Sequence, residues 1–206
     1  MNIGAIYRRQ WLRFKDVYAN WFLANLIFFI ISGLAGYIYV INNPEITQAA
    51  LKFIADKMPQ FQPGQSLFLI ILERNSLASL TFIGLGLITG GALTLVSILV
   101  NGGMVGALLG VFGLKGTVSP VKLLLFGILP HGILEIPAIA LAGGLGMRLG
   151  VKAIQRLTKG GFSFKQELVE TIITYGAVIL PVLVIAALVE SVVTPVLIKS
   201  MLPGLK

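Results

Sequence analysis

Trp21 to Ile41 is a run of 21 residues without a charge. As an α-helix it extends about 32 Å, the thickness of a bilayer's hydrocarbon core. That run exceeds the apolar region of a signal peptide, about 7–15 residues, so an uncleaved first span is expected. The rest of the chain is of the same kind. Only 12% of its 206 residues are charged and 56% are hydrophobic, whereas a soluble domain carries roughly 25% charged residues. A soluble enzyme, a disordered chain and a nucleic-acid binder are therefore excluded. The net charge of +8 then marks surfaces facing anionic membrane lipid. There is no cysteine and one histidine, which removes disulfides, thiolate chemistry and multi-histidine metal sites.

The pattern predicts an all-α fold. Residues 1–206 form a single integral membrane domain, a polytopic transmembrane helical bundle of about five spans. Broken or kinked helices and interfacial amphipathic helices are expected within it. In the flank 1–20, Tyr7, Trp11, Phe14, Tyr18 and Trp21 share a helical stripe beside Arg8, Arg9, Arg13 and Lys15, which suits an interfacial helix. Residues 42–66 read as an extracytoplasmic loop with a short helix. Asn43 would cap it, Pro44 and Glu45 suit its first turn, and Ile46, Ala50, Phe53 and Ile54 form its apolar stripe. Pro59 and Pro63-Gly64 would end it.

The second apolar region runs from Leu67 to Val100, with Glu73-Arg74-Asn75 interrupting it at the outer interface. A partly buried Glu73–Arg74 pair guarding a cavity is the alternative. Asn101-Gly102-Gly103 breaks the pattern, and a short piece from about Ser97 to Leu114 follows. Leu123 to Met147 is a full span with Pro130-His131-Gly132 near its middle. Residues 148–170 read as a basic cytoplasmic loop, in which Arg148, Lys152 and Arg156 recur on one face of an interfacial helix. Thr171 to Ile198 is the last span and contains Pro181 and Pro195.

Lysine and arginine bias puts both basic segments on the cytoplasmic side. An even number of crossings must separate them, so the short glycine-rich piece is expected to cross. The alternative makes Leu123–Met147 a re-entrant hairpin. Either way the protein is a multi-pass cell-membrane protein with its N-terminus cytoplasmic and its C-terminus extracytoplasmic.

Ten of the 24 glycines lie between Gly84 and Gly116. Gly86 and Gly90 are four apart, as are Gly102, Gly106 and Gly110, and Ala138, Ala142, Gly146 and Gly150. Small residues at this spacing let helix backbones approach closely. Packing within the chain is the first reading, a homo-oligomer interface the second, and a substrate passage the third.

Two acids fall within spans, Glu135 and Glu190. A charged residue there costs roughly 2.5–3.5 kcal/mol on insertion scales, and intramembrane ionisable groups mark functional sites. His131 and Glu135 share a helix face at i, i+4. Pro130 and Pro137 flank them and Gly132 lies between, so backbone groups near His131 lose partners. No H-E-x-x-H pattern, nucleophile turn or phosphate-binding glycine loop is present. One histidine and two glutamates could ligate a metal only if the two spans converge. No catalytic residue, metal or cofactor is expected.

Leu129-Pro130-His131-Gly132-Ile133-Leu134-Glu135-Ile136-Pro137-Ala138 resembles the signature of the stage II sporulation protein M family. Ala186 to Pro195, with Glu190 and Thr194, is similar to its C-terminal motif. Asn75 through Gly84, Gly86, Gly90 and Thr94 to Asn101-Gly102 is similar to its glycine-rich block. The resemblance covers about Asn75 to Pro195. It implies about five spans. The family's namesake acts in engulfment in endospore formers, anchoring two peptidoglycan-degrading partners without being a hydrolase. Pro130, His131, Gly132, Glu135, Asn101 and Glu190 carry over from the motifs. The expectation is a non-enzymatic membrane scaffold in cell-envelope or membrane remodelling, with protein partners in the envelope. His131, Glu135, Glu190 and Asn101 would form a buried polar cluster. The alternative is a channel or proton-coupled secondary transporter using the same residues.

Overall fold

The computed structural model describes residues 3–57, 66–116, 118–159 and 164–201. Among these residues the secondary structure is helical, with no strand. We number the helices α1 (Ile3–Asn42), α2 (Thr47–Lys57), α3 (Leu67–Thr89), α4 (Ala92–Lys115), α5 (Pro120–Thr158) and α6 (Phe164–Ser200). All except α2 are long and apolar enough to cross a membrane, as expected of an all-α polytopic bundle. Large apolar side chains such as Ile27, Ile31, Leu34 and Ile88 point outward, the arrangement a lipid solvent permits.

The boundaries differ from the expectation at the second apolar region. Leu67–Val100 is not one span. The chain turns at Gly90 and Gly91, whose φ angles are 65° and 98°. Two successive left-handed residues reverse the chain, and glycine alone takes them without a Cβ penalty. The third crossing therefore begins at Ala92 and has 24 residues, ample for a span. Asn101-Gly102-Gly103 breaks nothing and lies inside this helix. Glu73-Arg74-Asn75 does not interrupt α3 either: Glu73 and Arg74 face outward and Asn75 faces inward.

The re-entrant alternative is also overturned. Pro120 to Thr158 is one helix of 39 residues, about 58 Å long. It carries Arg148, Lys152 and Arg156 as a continuation of the span, so residues 148–158 form no separate interfacial helix. Within the N-terminal flank, residues 3–20 are likewise continuous with the first span in a 40-residue helix. Tyr18 of its aromatic stripe is fully buried with Ala138, Leu141, Ala142, Leu145, Ile179 and Leu183. The short helix in 42–66 forms as expected, but Asn43 caps the helix before it. Its Nδ2 donates to the Tyr39 carbonyl at 2.7 Å, because the last carbonyls of α1 lack intrahelical donors. Pro59, Pro63 and Gly64 and the side chain of Ile54 lie outside the described residues.

Two seams hold the bundle. In the α1–α4 seam a Cβ on Gly106 would overlap the Gly33 carbonyl, and one on Gly102 would overlap the Phe29 carbonyl and Ser32. In the α3–α5 seam Gly86 meets the Gly146 backbone, and Gly150 meets that of Gly86 and Gly90. The small-residue stripes are thus used inside the chain, where backbone-to-backbone contact maximises dispersion.

Three prolines set local helix geometry. Wide π-type turns occur at Phe14–Tyr18, which precedes no proline, and at three further places, Leu123–Ile128, Tyr175–Ile179 and Val189–Val193, and for these three a proline lies downstream. Each of the three contains the residue four before a proline: Phe126 before Pro130, Ala177 before Pro181, and Ser191 before Pro195. A proline lacks the donor for that carbonyl and its ring collides with it, so the turn widens.

Candidate functional site

His131 and Glu135 project from α5 one turn apart, and Glu190 projects from the wide turn of α6. One ligating atom of each residue lies within 4.8 Å of those of the other two. The two spans therefore converge, and the three intramembrane ionisable groups share one site. All three side chains are half-buried.

Neighbouring residues complete the cluster. Thr194 is buried, and its Oγ1 lies 3.3 Å from His131 Nδ1 and 3.4 Å from the Val189 carbonyl. Asn75, from the third turn of α3, brings its carboxamide against Glu135. Its Nδ2 is buried beside that carboxylate. Three helices thus supply the side chains, and the wide turn before Pro195 carries Glu190. A cleft of about 430 Å³ reaches the site beside Leu67, Ile71, Glu190, Thr194, Pro195 and Lys199.

The other expected residues have different surroundings. Asn101 donates to the Ser97 carbonyl on its own helix at 2.8 Å. Gly102 sits in the α1–α4 seam. A Cβ on Gly132 would make only ordinary contact, 3.4 Å from Ile136 Cδ1 and 3.5 Å from Ile128 Cγ2. Pro130 follows a wide turn, whereas Pro137 sits inside regular helix and cannot donate to the Ile133 carbonyl.

The sequence reading missed a second polar cluster. Glu170 and Glu167, at the start of α6, are 2% and 12% exposed. Glu170 pairs with Arg9 and, at 3.4 Å, with Arg13. Glu167 pairs with Arg13 at 3.5 Å and Arg148 at 3.0 Å. Arg13 also donates from Nη2 to the Tyr18 hydroxyl at 3.0 Å. Arginines that read as lipid-facing thus tie α1, α5 and α6 together. The available signal was spacing: Arg9 and Arg13 are i, i+4 and Glu167 and Glu170 are i, i+3, so each pair shares a face.

A cluster of one imidazole and two carboxyl groups can share protons, hold a cation or lock helices by hydrogen bonds. Residues 25–195 match the family described as Stage II sporulation protein M. The chain is also similar to an uncharacterized protein of Methanocaldococcus jannaschii. The two are 29% identical over 174 residues, which is 84% of this chain and 93% of that one. No solved structure matches.

Proposed function

This chain belongs to the stage II sporulation protein M family, and from that premise we propose that it is a non-enzymatic membrane scaffold in cell-envelope or membrane remodelling. One observation carries this reading: His131, Glu135 and Glu190 join α5 to α6 in a bundle whose α1–α4 and α3–α5 seams are closed backbone to backbone. Such seams resist sliding, because any shift brings carbonyls into collision. A rigid bundle suits a platform for envelope proteins. The cluster then fixes the rotation of α6 against α5, and so the surface that α6 offers to partners. Lysine and arginine bias supports a cytoplasmic N-terminus and an extracytoplasmic C-terminus.

The test is Glu135→Gln in reconstituted protein. The scaffold reading expects no change in proteoliposome flux, with lower thermal stability or lower recovery of envelope partners. A second reading, proton-coupled transport, draws on the cleft that reaches Glu190 and Thr194. It expects pH-dependent flux that Glu135→Gln abolishes while the protein stays folded. Such flux would replace the scaffold reading.

A further inference from the structure

We propose that His131, Glu135 and Glu190 form a binding site for a first-row divalent cation of the zinc class. The geometry is close to what such an ion needs. Nitrogen and oxygen ligands sit about 2.0–2.2 Å from zinc, so two of them on a tetrahedral ion lie about 3.3–3.6 Å apart. Here the candidate atoms are already within 4.8 Å of one another. Small side-chain rotations close the difference.

The donor set selects the ion. One imidazole nitrogen with two carboxylates suits zinc, ferrous iron or manganese. Calcium needs six to eight oxygens and magnesium a near-ideal octahedron, and this site has too few. Charge argues the same way. Two carboxylates and a neutral imidazole carry −2, which a divalent ion neutralises at a depth where an uncompensated charge is costly.

The surroundings resemble those of ligating groups elsewhere. A ligating histidine is held through its second ring nitrogen, and here Thr194 Oγ1 lies 3.3 Å from Nδ1. Three protein ligands leave one position open on a tetrahedral ion. Asn75 reaches Glu135 from α3 with its carboxamide, as groups that orient a ligating carboxylate do. The cleft beside Glu190 and Thr194 supplies an entry route. Lys199 also lines it and repels a passing cation, which fits a resident ion better than a conducted stream.

The inference uses the cluster but not the scaffold reading: partner recovery can fail while zinc binds, and the reverse. The experiment takes the full chain in detergent, strips it with chelator, and titrates it with Zn²⁺ and separately with Co²⁺. Expected are one equivalent of zinc per chain, a thermal midpoint that rises with zinc and falls again with chelator, and visible absorption from low-coordinate cobalt. Glu190→Gln should weaken binding at least about 100-fold. Thr194→Val, which keeps the side chain's size, should weaken it about 10–100-fold. Substoichiometric zinc with no thermal shift would overturn the proposal. So would unchanged zinc binding in the folded Glu135→Gln, Glu190→Gln double variant. Where a variant fails to fold, the chelator-reversible shift of the native chain decides.

Discussion

Thr194 Oγ1 lies 3.3 Å from His131 Nδ1, across 63 residues of sequence. The contact joins the last span to the fourth. It depends on helix rotation, because Thr194 follows directly on the wide turn Val189–Val193. A π-type turn adds one residue to the helix, and each residue is about 100° of rotation. Without it, Glu190 and Thr194 would be rotated out of their present alignment with α5.

Pro195→Ala tests this dependence. The restored N–H can donate to the Ser191 carbonyl and tighten the turn. Amide exchange over 189–195 should slow, and zinc affinity should fall by about tenfold or more, in line with the effect of displaced supporting groups. Unchanged exchange would mean that packing, not proline, widens the turn.

The seams predict opposite outcomes for two glycines. Gly106→Ala puts a methyl into the Gly33 carbonyl and should cost about 1–3 kcal/mol. Gly84 has nothing within 4 Å of a built Cβ, so Gly84→Ala should stabilise α3 by about 0.5–1 kcal/mol. Thermal midpoints in one detergent would rank the two against the native chain.

The ion-pair cluster also ranks its members. Arg13 touches Glu167, Glu170 and Tyr18 and is 19% exposed. Arg13→Met leaves Glu170 with one partner, Arg9, and should cost about 3 kcal/mol, near the low end for breaking a buried pair. Arg9 is 54% exposed, so Arg9→Met should cost about 1 kcal/mol or less. Equal denaturation midpoints for the two variants would refute this ranking.

Orientation has a direct check, because the chain has no cysteine. Lys115→Cys lies after three of the five long helices and Arg156→Cys after four, within α5. An impermeant thiol reagent applied to cells should label Lys115→Cys and spare Arg156→Cys. The reverse pattern would invert the topology.

Much of this molecule was legible in residue order. Charge-free runs such as Trp21–Ile41 mark spans because transfer into lipid depends on each side chain almost independently. Glu135, Glu190 and His131 stood out because polar groups are costly at that depth. Glycine spacing pointed to close packing. It did not say that Gly90 and Gly91 are a turn while Gly102 and Gly103 lie inside a helix, since glycine serves both uses and only the chain's path distinguishes them.

What the tertiary structure decided was which polar groups meet. Glu190 joins His131 and Glu135, while Asn101 bonds within its own helix. Arg9 and Arg13 meet Glu170 rather than facing only lipid. A contact between distant segments depends on the rotation and depth of whole helices. Here wide turns before Pro130, Pro181 and Pro195 and backbone contact at Gly33–Gly106 and Gly86–Gly146 set both. Single-residue properties locate groups in the membrane; helix rotation determines which of them share a site.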